Sequence, residues 1–439
     1  MASNKAPLGA GRRITAAVVG LGYVGLPLSL LFCRKGYSVI GIDTDPVKIA
    51  TLNHGKSYLP DVQNTDVQSA LASGNFRATG QYDDIRQADA ILICVPTPLD
   101  GSRAPDLSRI EAAGREIGRR IVKGQLVSLE SSTYPGTTSR MLRPLLEASG
   151  LKVGTDIFLG HSPERLDPSN YSYPLEQIPK VISGITDACL RRMSSLYGSA
   201  FERIVPVSST EAAEMAKLLE NTYRLVNVSF ANEIAMLCDA LQVDVWEIID
   251  AASTKPFGFH PFYPGPSAGG HCIPVDPLYL QWAARQTGLE SRFVALADEI
   301  NRGMPAYIVS RIALLMTPQK PLKEARILLI GAAYKKDTGD IRESGAVELL
   351  KLLKRSGADI RYHDPYVPML QLEGERMASV DLTDELLTQV DCVLIAADHA
   401  SVPFDQVMRH ARLVFDTRNA TSGLEGAARV YRLGGGAMP

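Results

Sequence analysis

The sequence predicts an α/β protein with two doubly wound parallel sheets and a helical domain between them. Three observations carry that expectation. Short apolar runs alternate with helical patterns as far as Val207. A stretch free of glycine and proline runs from Glu211 to Ala240. A second strand–helix alternation opens at Ala325. Alternation of this kind marks βαβ units with parallel strands.

The first unit opens with Ile14-Thr15-Ala16-Ala17-Val18-Val19, an apolar run of strand type, after a lead (residues 1–13) expected to be flexible. It feeds Gly20-Leu21-Gly22-Tyr23-Val24-Gly25 and a helical pattern to about Lys35. Tyr37 to Asp43 reads as a second strand that ends on a carboxylate. Strand, GxGxxG, helix, strand and acid in this order form the dinucleotide fingerprint of a Rossmann-like domain. The glycines allow the tight turn and the close approach of pyrophosphate, which rests on the helix N-terminus. Asp43 is expected to accept from the adenosine ribose hydroxyls and to oppose a 2′-phosphate, so the cofactor is NAD rather than NADP. Lys48, a cation one or two turns on, weakens that preference slightly.

Three later strands end in polar loops. Ala90–Val95 leads to Pro96-Thr97-Pro98, Leu126–Glu130 to Ser131-Ser132-Thr133, and Ile157–Gly160 to His161-Ser162-Pro163-Glu164. Ligands of open α/β sheets bind beyond the carboxyl ends of strands. Thr97, Thr133 and Glu164 therefore share an address, although ordinary loop polarity also explains them. Val181–Gly184 and Ile204–Val207 read as the last strands of this unit.

Thr210 followed by Glu211 and Glu214 reads as a capped helix start. The helix should run through Ala240, roughly 45 Å at 1.5 Å per residue. Met215, Leu218, Leu219, Tyr223, Val226, Phe230, Ile234 and Leu237 form its apolar side; Glu214, Lys217, Asn221 and Arg224 form a polar stripe. Such a stripe is more often solvated than functional. A helix of this length links domains or packs across a dimer.

Pro264-Gly265-Pro266-Ser267-Ala268-Gly269-Gly270-His271-Cys272 is a proline- and glycine-rich loop with one thiol, and Asp276 follows four residues on. A helix start after it would favour the thiolate through its amides and dipole. A nucleophilic cysteine and a small buried residue in a turn both fit this stretch. A helical segment from about Asp276 to Arg302 should follow. Ala325–Gly331 then opens the second sheet, with a helix over 345–355 and strands at Asp359–Tyr362, Val390–Ala396 and Leu413–Phe415. Lys335, Lys336, Arg342 and Arg418 near strand ends suit phosphate groups. The Gly434-Gly435-Gly436 tail is expected to be disordered.

The 439 residues carry a net charge of −2, with 21% charged and 45% hydrophobic side chains. That balance is ordinary for a soluble globular protein and offers no electrostatic case for nucleic acid or an acidic membrane. Ala16 to Cys33 is long and uncharged enough to mimic a membrane span, but Gly20, Gly22, Gly25 and Pro27 interrupt it, and strand–turn–helix fits better. The six cysteines show no CxxC spacing, so neither a metal site nor a disulfide framework is expected, in keeping with a reducing cytoplasm.

Taken together these residues resemble the UDP-glucose/GDP-mannose dehydrogenase family over essentially the whole chain. The resemblance rests on Gly20-x-Gly-Tyr-Val-Gly25, Val95-Pro-Thr-Pro98, Ser132-Thr133, Ser162-Pro-Glu164, Lys217-x-x-x-Asn221, Gly269-Gly-His-Cys272-x-x-x-Asp276 and Lys335-Lys-Asp-Thr-Gly-Asp-x-Arg342. It implies two Rossmann-like doubly wound domains joined by a central helical domain with a long helix, divided as 1–208, 209–318 and 319–439. It implies an NAD-dependent, two-step oxidation of the C6 hydroxymethyl of a nucleotide sugar to a carboxylate. Pro261-Phe-Tyr-Pro-Gly-Pro266 and the cysteine segment look most like the bacterial UDP-N-acetylglucosamine 6-dehydrogenases, which supply uronic acids for surface polysaccharides. UDP-N-acetylmannosamine, UDP-N-acetylgalactosamine and UDP-glucose are the alternative substrates.

The resemblance also assigns residues. Cys272 is the nucleophile; Lys217 and Asn221 stabilise an oxyanion; Asp276 and Thr133 act with a water and Glu164 acts in hydrolysis. Gly20, Gly22, Tyr23, Val24, Gly25, Asp43, Lys48, Thr97, Thr133 and Arg342 go to the cofactor. The sugar nucleotide falls to Glu164, Arg165, Lys217, Asn221, Arg224, Tyr263, Gly265, Gly269, Tyr334, Lys335 and Arg418. A homodimer or larger homo-oligomer is expected. Two departures stand out. Ser267 and Ala268 replace part of a glycine pattern, which bears on loop flexibility. Pro168 stands where UDP-glucose enzymes carry an acid, which argues against UDP-glucose. A one-step β-hydroxyacid dehydrogenase shares the Lys-x-x-x-Asn helix but needs neither Cys272 nor a third domain, and a non-catalytic NAD-binding module leaves Cys272 and Lys217 without purpose.

Overall fold

The computed structural model describes residues 13–59, 61–166, 173–270, 272–316 and 320–436. Residues 1–12 of the expected lead, Pro168 and His271 lie outside the described residues. The chain forms two compact units: residues 1–220 with 278–289, and residues 221–277 with 290–439.

The first unit carries a six-stranded parallel sheet of β1 (Thr15–Val19), β2 (Ser38–Ile42), β3 (Phe76–Thr79), β4 (Ala90–Ile93), β5 (Leu126–Leu129) and β6 (Phe158–His161). Its strand order is β3-β2-β1-β4-β5-β6. That is the doubly wound order whose direction reverses between β1 and β4, where a ligand crevice forms. Strands buried on both faces read as continuous apolar runs, as Ala90–Ile93 does, because helices cover both sides. The stretch that mimics a membrane span is β1, the glycine turn and a helix over Gly25–Arg34. No helix among the described residues is long and apolar enough to cross a membrane. β7 (Lys180–Ile182) and β8 (Ile204–Pro206) pair in parallel with each other and stay outside the large sheet.

The second unit carries a five-stranded parallel sheet of β9 (Arg326–Ile330), β10 (Asp359–His363), β13 (Cys392–Ile395), β14 (Leu413–Asp416) and β15 (Arg429–Arg432), in the order β10-β9-β13-β14-β15. A hairpin of β11 (Met369–Leu372) and β12 (Glu375–Ala378), which periodicity did not predict, packs Leu370 and Leu372 into this unit's core.

Two helices pass from one unit into the other. Thr210–Leu241 crosses at Glu220, and Asp276–Gln286 crosses at Pro277. The long helix has the expected extent, but its cap is Ser209, whose hydroxyl accepts from Ala212 N at 3.1 Å, rather than Thr210. The single helix expected over 276–302 is two, Asp276–Gln286 and Arg292–Met316, because Gly288 at φ +78° ends the first. The glycine tail is ordered rather than disordered. Gly434 O accepts from Val245 N at 2.8 Å, and a side chain at Gly434 would run into Val245 and Ala235. Glycine here permits close backbone packing, not freedom.

Candidate active site

The dinucleotide turn has the geometry its sequence requires. A Cβ at Gly25 would overlap the Gly20 carbonyl oxygen, whereas a Cβ at Gly22 would meet nothing. The backbone at Gly22 thus faces open space, and the helix behind it starts without a side-chain cap at Val24. Backbone that a ligand can approach at a helix start fits a pyrophosphate. Asp43 caps the opposite side: one carboxylate oxygen accepts from Leu21 N at 2.9 Å and the other from Asp45 N at 3.0 Å. Lys48 Nζ lies 3.9 Å from Asp43 Oδ2, so the cation is paired with that carboxylate. Tyr23 and Val24 are half-buried against the core. These residues fit NAD.

Thr97, Thr133 and Glu164, in the loops after β4, β5 and β6, are buried. The Tyr279 hydroxyl donates to the carbonyl oxygen of Thr97 at 2.6 Å, which holds that loop down. Thr133 is 1% exposed and donates to Thr137 Oγ1 at 2.6 Å. Glu164 accepts from the amides of Arg165 and Leu166 at 2.7 and 2.8 Å through Oε1, and from Lys180 Nζ at 3.0 Å through Oε2. Burial works to raise its pKa, but the Lys180 ammonium and these donors outweigh burial and hold it below the usual carboxylate value. Arg165 spends its guanidinium on Glu220, at 2.7 Å, and on the Pro179 carbonyl.

The long helix departs from the usual rule for its faces at several positions, although Leu218 is buried. Glu214, Lys217 and Asn221 are buried at 1%, 7% and 4% exposure, while Leu219, Tyr223 and Phe230 are exposed. Arg224, two turns beyond Lys217, is exposed, so the polar stripe leaves the interior after Asn221. Asn221 Nδ2 donates to Asp276 Oδ2 at 2.6 Å. A carboxylate oxygen accepts, so the amide nitrogen, not the oxygen, faces Asp276 and a second N–H remains for a ligand. Glu214 accepts from Gly136 N at 2.5 Å and from Thr138 N at 2.8 Å, tying the Thr133 loop to this helix.

Cys272 sits at a helix start. Its carbonyl oxygen accepts from Asp276 N at 2.9 Å, and the helix begins at Asp276. Five of the six cysteines are buried; Cys272 is half-buried. The loop before it is held at several points. Gly265 N donates to Asn232 Oδ1 at 2.9 Å, and Ala268 N donates to Asn301 Oδ1 at 2.6 Å. Side chains at Gly265 and Gly269 would collide with Arg418 and Tyr334 respectively. At the Ser267-Ala268 departure, Asn301 bonds both the N–H and the C=O of Ala268, and Ser267 packs against Gly345, where no side chain intrudes. Arg418 donates from Nε to the Ala396 carbonyl at 2.9 Å. Lys335 lies over the Tyr334 ring at 5.6 Å, and Arg342 Nη2 pairs with Asp340 at 2.6 Å. Tyr263 stacks on Trp246 with centroids 5.8 Å apart and leaves nearly half its surface exposed.

Comparison with known proteins decides the family. Models of the UDP-glucose/GDP-mannose dehydrogenase family match the chain in order: the NAD binding domain over residues 14–201, the central domain over 211–303 and the UDP binding domain over 328–423. The chain belongs to the UDP-glucose/GDP-mannose dehydrogenase family. It is an NAD-dependent nucleotide-sugar dehydrogenase. A UDP-N-acetyl-D-mannosamine dehydrogenase of Pyrococcus horikoshii is 35% identical over 92% of this dehydrogenase and 95% of that relative. A UDP-N-acetyl-D-glucosamine 6-dehydrogenase of Pseudomonas aeruginosa is 35% identical over 81% of this chain and 83% of its own. The structure of the UDP-D-ManNAc dehydrogenase from Pyrococcus horikoshii superposes with a TM-score of 0.88 at 31% identity, covering 97% of this chain and 100% of the other.

Motif reading missed three groups of this dehydrogenase. Lys180 and Glu130 each abut an apolar strand run, and a charge in that place is a signal for a buried pair. Asn301, which holds the cysteine loop, lies inside a helix and carries no such signal.

Proposed function

We propose that this dehydrogenase oxidises C6 of a UDP-N-acetylhexosamine from alcohol to carboxylate, with UDP-N-acetylglucosamine as substrate. The observation that carries the reading is the half-buried Cys272 at a helix start, beside the Asn221–Asp276 pair. The expected division at about 208 and 318 gives an NAD domain, a central helical domain and a UDP domain. Its location in the cytoplasm, where NAD and nucleotide sugars are available, belongs to the same proposal.

Bound NAD supplies a two-electron acceptor, used twice. The chain's own residues do the rest. In the first oxidation the C6 oxygen gains negative charge as its proton leaves. Lys217 and the second N–H of Asn221 stabilise that oxygen. Asp276, with Thr133, holds the water that takes the proton. The Cys272 thiolate then adds to the aldehyde carbon and gives a thiohemiacetal, so no free aldehyde escapes. Oxidation of that carbon leaves a thioester. Water, oriented by Glu164, attacks the thioester carbon; the C–S bond breaks, thiolate leaves and the uronate is released. One sugar and one water yield one carboxylate, two reduced cofactors and three protons. Tyr334, Lys335 and Arg418 bind the UDP portion, with Arg165, Arg224, Tyr263, Gly265 and Gly269 contributing to the sugar-nucleotide site. Arg342 serves the cofactor.

A second reading takes UDP-N-acetylmannosamine as substrate, since relatives at 33–35% identity bear that name. The exposed apolar face of the long helix, with Leu219 at 60%, Phe230 at 57% and Leu241 at 70% exposure, supports a homodimer.

The test is incubation with NAD and each UDP-sugar, following NADH absorbance. UDP-N-acetylglucosamine is expected to give the highest kcat/KM and two NADH per sugar. A higher kcat/KM for UDP-N-acetylmannosamine supports the second reading. One NADH per sugar, with Cys272→Ala fully active, overturns the covalent mechanism.

A further inference from the structure

Three charged side chains meet in the interior of the first unit. Lys180 Nζ lies 2.8 Å from Glu130 Oε2 and 3.0 Å from Glu164 Oε2, and all three side chains are at most 8% exposed. Glu130 also accepts from Ser128 Oγ at 2.7 Å and from the Tyr197 hydroxyl. The ammonium lies 5.7 and 5.5 Å from the Tyr197 and Phe201 ring centroids, which wall it in. Burying three charges with one uncompensated carboxylate is unfavourable unless the geometry is tight and every group is engaged. The apolar packing around them fills a sheet interior that aliphatic residues could also fill. The chain keeps a lysine, at the head of β7, and reaches it from the loops after β5 and β6.

We infer that Lys180 is a positioning residue for the hydrolytic half of the reaction: its buried ammonium fixes Oε2 of Glu164 and keeps that carboxylate charged, while Glu130 anchors the ammonium from behind. The inference rests on the proposed role of Glu164 in thioester hydrolysis. Glu164 Oε1 is taken by two backbone amides, so only Oε2 is left to be steered by a side chain. Lys180 is the cation that reaches it. The other titratable groups facing this cluster are Glu130, Cys94, Tyr197 and His161. The last three stay neutral near neutral pH: burial raises the thiol and the phenol, and presses His161 down to about 3. Arg165 pairs with Glu220 and leaves Lys180 as the counter-charge.

The experiment compares Lys180→Met, Lys180→Arg, Glu130→Gln and Glu164→Gln in the full chain. Rapid-quench mass spectrometry of the sugar–Cys272 adduct is paired with pre-steady-state NADH formation and the pH profile of kcat. Lys180→Met is expected to slow adduct breakdown by about 10², to leave first-hydride formation within about 3-fold, and to move the acid limb of kcat to higher pH. Lys180→Arg should restore part of the loss. Glu130→Gln removes a negative neighbour, so its acid limb should move to lower pH; this variant decides if Lys180→Met does not fold. Equal slowing of both half-reactions with unmoved acid limbs overturns the inference and leaves Lys180 as scaffolding. No adduct in any variant, or no slowing in Glu164→Gln, overturns instead the reading on which it rests.

Discussion

Glu214 should make the first unit lose stability as pH rises toward neutrality. Its carboxyl is 1% exposed, and burial pushes it up to about 7 from an ordinary value of 4.5, against the pull of Thr138 and Gly136. The sign follows from proton counting. Between those two values the unfolded chain has released this proton and the folded chain still holds it. Folded protein then binds more protons, so stability falls as pH rises through the window and levels off above it. Two and a half pH units at about 1.36 kcal/mol each set the size at about 3 kcal/mol. Glu214→Gln removes the titration. It also adds a fixed cost of about 1–3 kcal/mol, because Gly136 N and Thr138 N approach opposite oxygens and one of them must then face the glutamine NH2. Slope and offset therefore separate. The assay is urea unfolding from pH 4.5 to 8 in a Trp246→Phe background. There the remaining tryptophan, Trp282, reports on the right place: its ring packs at a tilt against Tyr134, two residues before Gly136, with centroids 4.5 Å apart. Wild type should lose about 3 kcal/mol more than Glu214→Gln across the window. The same pH slope in both proteins would refute the reasoning.

Asp43→Asn should raise KM for NAD by about tenfold, in line with 1.5–3 kcal/mol for a hydrogen bond to a charged group, and change kcat little; equal kcat/KM for NAD and NADP in wild type would contradict the role of Asp43. Cys272→Ser should stall the second oxidation far more than the first, read as NADH per sugar falling toward one and as a sugar adduct at the aldehyde oxidation level seen by mass spectrometry. Leu219→Glu combined with Phe230→Glu should shift the sedimentation of a dimer to monomer at micromolar protein, and a monomeric, active wild type would remove the dimer proposal.

The fold was legible where one physical rule governs one segment. The run Ala90 to Val95 can only be a strand covered on both faces, and Gly20, Gly22 and Gly25 can only be a turn with close approach. Legibility failed where tertiary contacts decide. Gly434 to Gly436 reads as a loose tail because glycine is permissive, yet the space beside Val245 and Ala235 admits nothing larger. The residues 276–302 read as one helix because their pattern continues through the left-handed Gly288.

The burial of the long helix's polar residues was not legible from its faces. Periodicity assigns the long helix an apolar side and a polar stripe, and the ordinary inference puts the apolar side indoors. The helix departs from that rule over much of its length: Leu219, Tyr223 and Phe230 look outward while Glu214, Lys217 and Asn221 are buried, although Leu218 is buried and Arg224 exposed as the rule expects. Two of these buried polar groups have partners within the chain. Glu214 has the amides of Gly136 and Thr138, and Asn221 has Asp276. The exposure of Leu219, Phe230 and Leu241 along the same helix is the ground for the proposed dimer. The proposed chemistry and the proposed dimer draw on one helix: its buried polar residues serve the first proposal and its exposed apolar residues the second. Neither is visible in a helical wheel, where hydrophobicity stands in for burial. Both become visible once Lys-x-x-x-Asn is read as a demand for buried polar partners and not as a place on a surface.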